Sequence, residues 1–94
     1  MIASFSCDET KAIFDGERSR KLPPDIQNTA RRKLKYLHHA RTLQDLRSPP
    51  GNRLEALQGD RKGQHSIRIN TKWRVCFVWH EGDAHDVEIN NHYD

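Results

Sequence analysis

The sequence predicts an α+β fold, with an N-terminal strand and two helices packed on one face of an antiparallel sheet. Two patterns and the break between them carry that expectation. Ile26, Ala30, Leu34 and Leu37 recur at the spacing of one helical face. From Ile67 to Ile89, apolar residues fall mostly at every second position, the period of half-buried strands. Between them, "SPPG" at residues 48–51 ends the helical part.

The elements follow in order. "IASF", residues 2–5, is a short apolar stretch expected as an edge strand. "CDETKAIFDG" reads as a short helix with acids in its first turn, Ala12 and Phe14 turned inward, and Gly16 placed to stop it. "ERSRKL" is a polar, basic connector. The main helix starts at Pro24, which suits a first helical position, with Asp25 in the first turn. Leu43 and Leu46 continue the burial after a bend near residues 39–42. In "RLEAL", Leu54 points one way, and Arg53 and Glu55 the other. Ile67 and Ile69, then Trp73, Val75, Phe77 and Trp79, then Val87 and Ile89 line one sheet face, with "HEGDAH" as a turn. Arg68, Arg74, Cys76 and Val78 occupy the opposite, open face. The strand from Trp73 is apolar on both sides and is expected to be central.

The chain of 94 residues, 1–94, is read as a single domain. No apolar run approaches the roughly 20 residues of a membrane span, and "MIASFSCDETK" does not read as a signal peptide. Cys7 and Cys76 are far apart and in no metal-binding spacing, so two free thiols in a cytoplasmic protein are the simplest reading. The net charge of +3 conceals a strong asymmetry. Residues 18–74 hold 15 of the 16 Lys and Arg against four acids, a concentration that suits a polyanionic or acidic partner.

The candidate chemistry centres on Arg74. One reading pairs it with Glu55 or Glu88 to tie strands together. The other aims it at a phosphate, for which the planar, permanently charged guanidinium is suited. Pattern alone leaves these even. The tail "NNHYD" is ordinarily a polar terminus, although His92 and Tyr93 are both proton-transfer groups. No His pair has metal-ligand spacing, so neither a metal nor another cofactor is expected. Gly59 and Gly63 bracket "DRK" in a turn that carries no signal of its own.

Across "LRSPPGNRLEALQGDRKGQHSIRINTKWRVCFVW", the terminal "VEIN" strand and the initial "IASF", the chain resembles the HigB-type toxins of the RelE superfamily. The resemblance implies a RelE-like fold and a toxin of a type II toxin–antitoxin pair. It implies a ribosome-dependent endoribonuclease that cleaves mRNA in the A site, with a HigA-like helix-turn-helix antitoxin as partner. Operator DNA would be contacted only through the toxin–antitoxin complex. Arg74 matches the family's W-R arginine, which stabilises the scissile phosphate. Some members have His where this chain has Glu55, Lys where it has Gln58, and Asp-Tyr-His where it reads Asn91-His92-Tyr93. The proton transfers are thereby assigned to His92 and Tyr93, with Glu55 as an alternative base. Arg68, Lys72 and Arg53 are expected to hold RNA phosphates, and Arg31, Arg32, Lys33 and Lys35 to dock on the ribosome. The departures also motivate a second reading, a non-catalytic RNA- or ribosome-binding module or antitoxin-partnered regulator.

Overall fold

The computed structural model describes residues 1–91. His92 and Tyr93 lie outside the described residues. Two α-helices, α1 (Asp8–Phe14) and α2 (Pro24–His39), precede a four-stranded antiparallel sheet. Its strands are β1 (Glu55–Ala56), β2 (His65–Arg68), β3 (Trp73–His80) and β4 (Asp83–Asn91), in the order β1-β2-β3-β4. Short 3-10 turns at Leu43–Arg47, Pro50–Asn52 and Gly59–Arg61 complete the chain.

α2 buries the face that its spacing marks out: Ile26, Ala30, Leu34 and Leu37 are all buried. They pack against Ile67, Val75, Phe77, Val87 and Ile89 from the sheet, and Leu46 joins the same core. At about 25 cal/mol per Å² of apolar surface removed from water, this layer supplies most of the drive to fold. The short α1 differs from expectation. It buries Thr10 and Ile13, not Ala12 and Phe14. The choice follows from a hydrogen bond: the Thr10 hydroxyl accepts from the Ile89 amide at 2.9 Å, which turns Thr10 toward β4. Ile13, three positions on, shares that face.

β3 and β4 join through a tight hairpin in which Glu81 and Gly82 both take positive φ (51° and 83°). The turn in "HEGDAH" is therefore only Glu81 and Gly82, and β4 begins at Asp83. Strict alternation along β4 cannot bury both Ala84 and Val87, which are three positions apart. Asp86, at φ 53°, resolves the conflict as an extra residue in a bulge opposite Cys76–Val78. The N-terminal segment covers this edge of the sheet. Its contact is parallel, through bridges Ile2–Ala84 and Phe5–Val87, and the Ser4 hydroxyl accepts from the Asp86 amide at 2.9 Å.

Two polar clusters fasten the helices. Gln27 donates to the Ser19 and Leu22 carbonyls at 2.9 and 2.8 Å, and accepts from the Ser19 amide. The second cluster corrects a reading of the sequence. Lys33 is not a surface cation; it is 6% exposed. Its ammonium donates to Asn52 Oδ1 at 2.6 Å and lies 5.6 Å from the centre of the Tyr36 ring. Asn52 is fully buried and donates to the Leu46 and Ser48 carbonyls. Burial, reinforced by Arg32, pushes the Lys33 pKa below its ordinary value.

Asn52→Ala is expected to lower stability by about 3 kcal/mol, because it strands a buried ammonium and two carbonyls. Urea unfolding of the variant and the parent checks this. A second expectation concerns His38, whose Nδ1 accepts from the Ile2 amide at 3.2 Å. Burial foremost, then His39 and the terminal ammonium, push its pKa below the ordinary 6.5. The folded state thus binds the proton less readily than the unfolded chain. The stabilisation is complete above pH 6.5 and is lost as pH falls below it. Between about pH 7.5 and 5.5, the thermal midpoint should fall further for the parent than for His38→Gln, which keeps an acceptor but does not titrate.

Candidate nucleic-acid interface

The pleat of the sheet sends alternate side chains away from the helices. Antiparallel register then brings them side by side. Ser66 pairs with Glu55 on one side and Cys76 on the other. Arg74 pairs with Arg68 and Asn90, and Cys76 with Glu88. The result is a polar ridge across the face opposite the core.

Arg74 is held firmly on this face. Its Nη1 donates to Ser66 Oγ at 3.1 Å and lies 3.3 Å from Glu55 Oε2. The Arg74 side chain is 12% exposed and that of Glu55 48% exposed, so the cation is seated while its counter-ion stands at the rim. The position of Arg74 is set one residue earlier. Asn70 Oδ1 accepts from the Lys72 and Trp73 amides at 2.8 Å each, closing the turn that leads into β3. Two like charges face each other in the Arg68–Arg74 pair, an arrangement that costs stability in a sheet. Glu55 offsets part of that repulsion.

The link "GDRKG" does more than turn the chain. It folds over the open face and walls a groove of about 790 Å³, whose lining includes Gln58, Arg61, Gln64, Arg74, Cys76 and Glu88. Gly59 and Gly63 take φ of +66° and +97°, conformations that suit glycine and let the short loop double back. The loop closes on itself through Leu57 N–H to the Gln64 carbonyl at 2.9 Å. Arg61 then donates to Gln64 Oε1 at 3.0 Å and to Glu88 Oε1 at 2.9 Å, fastening the loop to β4. Neither Arg61 nor Gln64 stands out in the sequence. Only the glycines flanking the loop hint at its compactness.

Cys76 forms part of the groove floor. It is buried, and that burial pushes its thiol pKa up, against the opposing pull of the Arg61 and Arg74 charges.

The other expected residues separate into two groups. Arg68 is half-buried on the groove side, whereas Lys72 and Arg53 are exposed on the flanking turns. The α2 residues lie behind the sheet, on the far side from the groove. Of these, Arg32 and Lys35 are exposed and, with Tyr36 and His39, line a shallow hollow of about 540 Å³. Arg31 is half-buried and works within the fold: Nε donates to the Ile13 carbonyl, near the end of α1, at 2.8 Å, and Nη2 to the Glu17 carbonyl, in the connector that follows, at 3.0 Å. Among the described residues no group of three or more His, Cys, Asp or Glu is arranged to hold a metal ion. No described helix is long and apolar enough to cross a membrane.

Comparison with known proteins matches residues 3–93 to the family described as RelE-like toxin of type II toxin–antitoxin system HigB. Toxin HigB-1 of Vibrio cholerae serotype O1 is 44% identical over 78 residues, covering 83% of this chain and 82% of its own. Endoribonuclease HigB of Proteus vulgaris is 26% identical over 93 residues, covering 99% of this chain and all of its own. In structure, YafQ from E. coli strain BL21(DE3) superposes with a TM-score of 0.55 over 98% of this chain and 92% of its own, at 20% identity, which establishes a common fold.

Cys76 should remain a protonated, shielded thiol near neutral pH. Iodoacetamide at about pH 7.5 is expected to alkylate the half-exposed Cys7 and spare Cys76 until the protein is unfolded, as peptide mass spectrometry would report.

Proposed function

The chain belongs to the HigB family of RelE-like toxins of type II toxin–antitoxin systems, and on that premise we propose that it is an endoribonuclease that cleaves mRNA in the ribosomal A site and so inhibits translation. The relative from Proteus vulgaris is named an endoribonuclease, which supports the activity. The observation that carries the reading is the Arg74 guanidinium, seated by Ser66 and Glu55 on the floor of an open groove.

Cleavage of RNA through its own 2′-hydroxyl needs a base, an acid and a cation, all of which a protein can supply. The base removes the 2′ proton, the 2′-oxygen attacks phosphorus, and the acid protonates the departing 5′-oxygen. Negative charge grows on the phosphate meanwhile. A preorganised guanidinium stabilises that charge more in the transition state than in the ground state. Arg74 fills this role in our reading. Its fork suits two phosphate oxygens, and its near-burial weakens the screening of its charge.

We assign the proton transfers to His92 and Tyr93, which follow Asn91 in the sequence. Glu55 is the alternative base, although its pairing with Arg74 requires it to swing away first. Arg68, Lys72 and Arg53 follow the RNA backbone from the groove outward. Arg32 and Lys35, on the opposite side of the molecule, are the exposed α2 cations that can meet ribosomal RNA. Contacts of this kind weaken steeply with salt.

Membership of a type II toxin–antitoxin family implies an antitoxin partner. We take it to be a HigA-like helix-turn-helix protein that brings the complex to operator DNA. Ribosomal action places the toxin in the cytoplasm.

Arg74→Ala is expected to reduce cleavage of mRNA on programmed ribosomes by about 10²–10³-fold, with growth arrest lost and thermal unfolding little changed. Primer extension of mRNA after induction reads the cuts. An Arg74→Ala protein as toxic as the parent would remove Arg74 from the site. Arrest by the parent with no new 5′ ends would favour occupancy without cutting. With Mg²⁺ maintained for the ribosome, cleavage should survive a chelator selective for zinc and other transition metals, since each step is assigned to side chains.

A further inference from the structure

Arg61 belongs to no part of the scheme above, yet it lines the same groove as Arg74. Its arrangement repeats that of Arg74. Each guanidinium meets a carboxylate: Arg74 at 3.3 Å from Glu55, Arg61 at 2.9 Å from Glu88. Each is also bonded to a neutral side chain, Ser66 or Gln64. Neither carboxylate is buried deeply, with Glu55 48% and Glu88 28% exposed, so both can yield to a competing anion.

The two centres face the same groove. Arg74 reaches Ser66 and Glu55, and Glu55, Ser66, Cys76 and Glu88 pair in turn across the four strands, so both carboxylates stand on one cross-strand row. An extended nucleic-acid strand laid along that row would bring different phosphates to the two guanidinium groups. From this geometry we infer that Arg61 is a second phosphate-binding station of the groove, taking the phosphate next to the scissile one and exchanging Glu88 for it. The inference rests on the reading of the groove as an RNA-cleaving site, and it adds a residue that positions substrate without acting on the reacting atoms.

The competing account makes Arg61 only a fastener of the loop at residues 57–64. The two accounts separate on Glu88. If Arg61 is only a fastener, Arg61→Ala and Glu88→Gln both loosen the loop and weaken substrate binding alike. If Arg61 is a phosphate station, Arg61→Ala weakens binding and Glu88→Gln strengthens it, because a competing carboxylate is gone.

The test is single-turnover cleavage on ribosomes programmed with a short mRNA, followed as toxin concentration and salt are varied. Arg61→Ala is expected to raise the half-saturating toxin concentration about tenfold. It should change the plateau rate far less than Arg74→Ala does. Its salt dependence should flatten by about 0.7 in log–log slope, the loss of one single-strand phosphate contact. Arg61→Lys keeps the charge and should recover most of the affinity.

A neutral methylphosphonate at the linkage next to the scissile one locates the phosphate. It should weaken the parent to the level of Arg61→Ala and leave Arg61→Ala itself unaffected. Additive losses would overturn the inference, since the phosphate held by Arg61 would then be elsewhere, as on ribosomal RNA. Parallel defects in Arg61→Ala and Glu88→Gln would also overturn it. So would an Arg61→Ala protein that matches the parent while Arg74→Ala is inactive, and that result would leave the functional reading standing. A parent that does not cleave at all would overturn both.

Discussion

The two-sidedness of β3 is the constraint on which the rest of the structure depends. Val75 and Phe77 are fully buried beneath the helices, while Arg74 and Cys76, their immediate neighbours, face the other way. One strand thus anchors the core and carries the groove floor. The coupling is rigid, because a one-residue slip would bring a guanidinium into the core and an aromatic ring into the groove. The hairpin at Glu81–Gly82 closes one end of the β3–β4 ladder, and the bulge at Asp86 resets its register between the Val78–His85 and Cys76–Glu88 pairs.

The distribution of charge takes its meaning from the same layering. The sequence concentrates its cations in the middle of the chain, and the fold then sorts them. Some, like Arg74 and Arg61, reach the groove. Arg32 and Lys35 remain on the outer surface of α2. Arg31 and Lys33 are taken into the structure, one to satisfy the Ile13 carbonyl at the end of α1 and the other to bond Asn52. A run of four nearly contiguous cations thus contains two that are structural. Charge counts along a sequence therefore overstate the charge offered to a partner.

Much of this was legible in the sequence where the signal was periodic. The face of α2, the inward residues of β2 and β3, and the outward placement of Arg74 all follow from spacing within single elements. What escaped was set by contacts between distant segments. The burial of Lys33 depends on Asn52, 19 positions away. The inward turn of Thr10 depends on the amide of Ile89. Arg61 sits in a loop whose pattern shows only that it bends, and its part in the groove emerges once Glu88 is drawn up beside it. The parallel run of the N-terminal segment along β4 has no local signature either.

The opposition of Arg68 and Arg74 across one rung of the sheet has a consequence for how such a protein evolves. Glu55 neutralises Arg74 in part, but the rung still holds two positive charges, and their repulsion would ease wherever an anion settled between them. Replacing either arginine by a neutral residue would ease the repulsion in the unliganded fold and dull the groove for anions. Selection for robustness alone would therefore erode this pair. The pair is one that stability by itself does not account for.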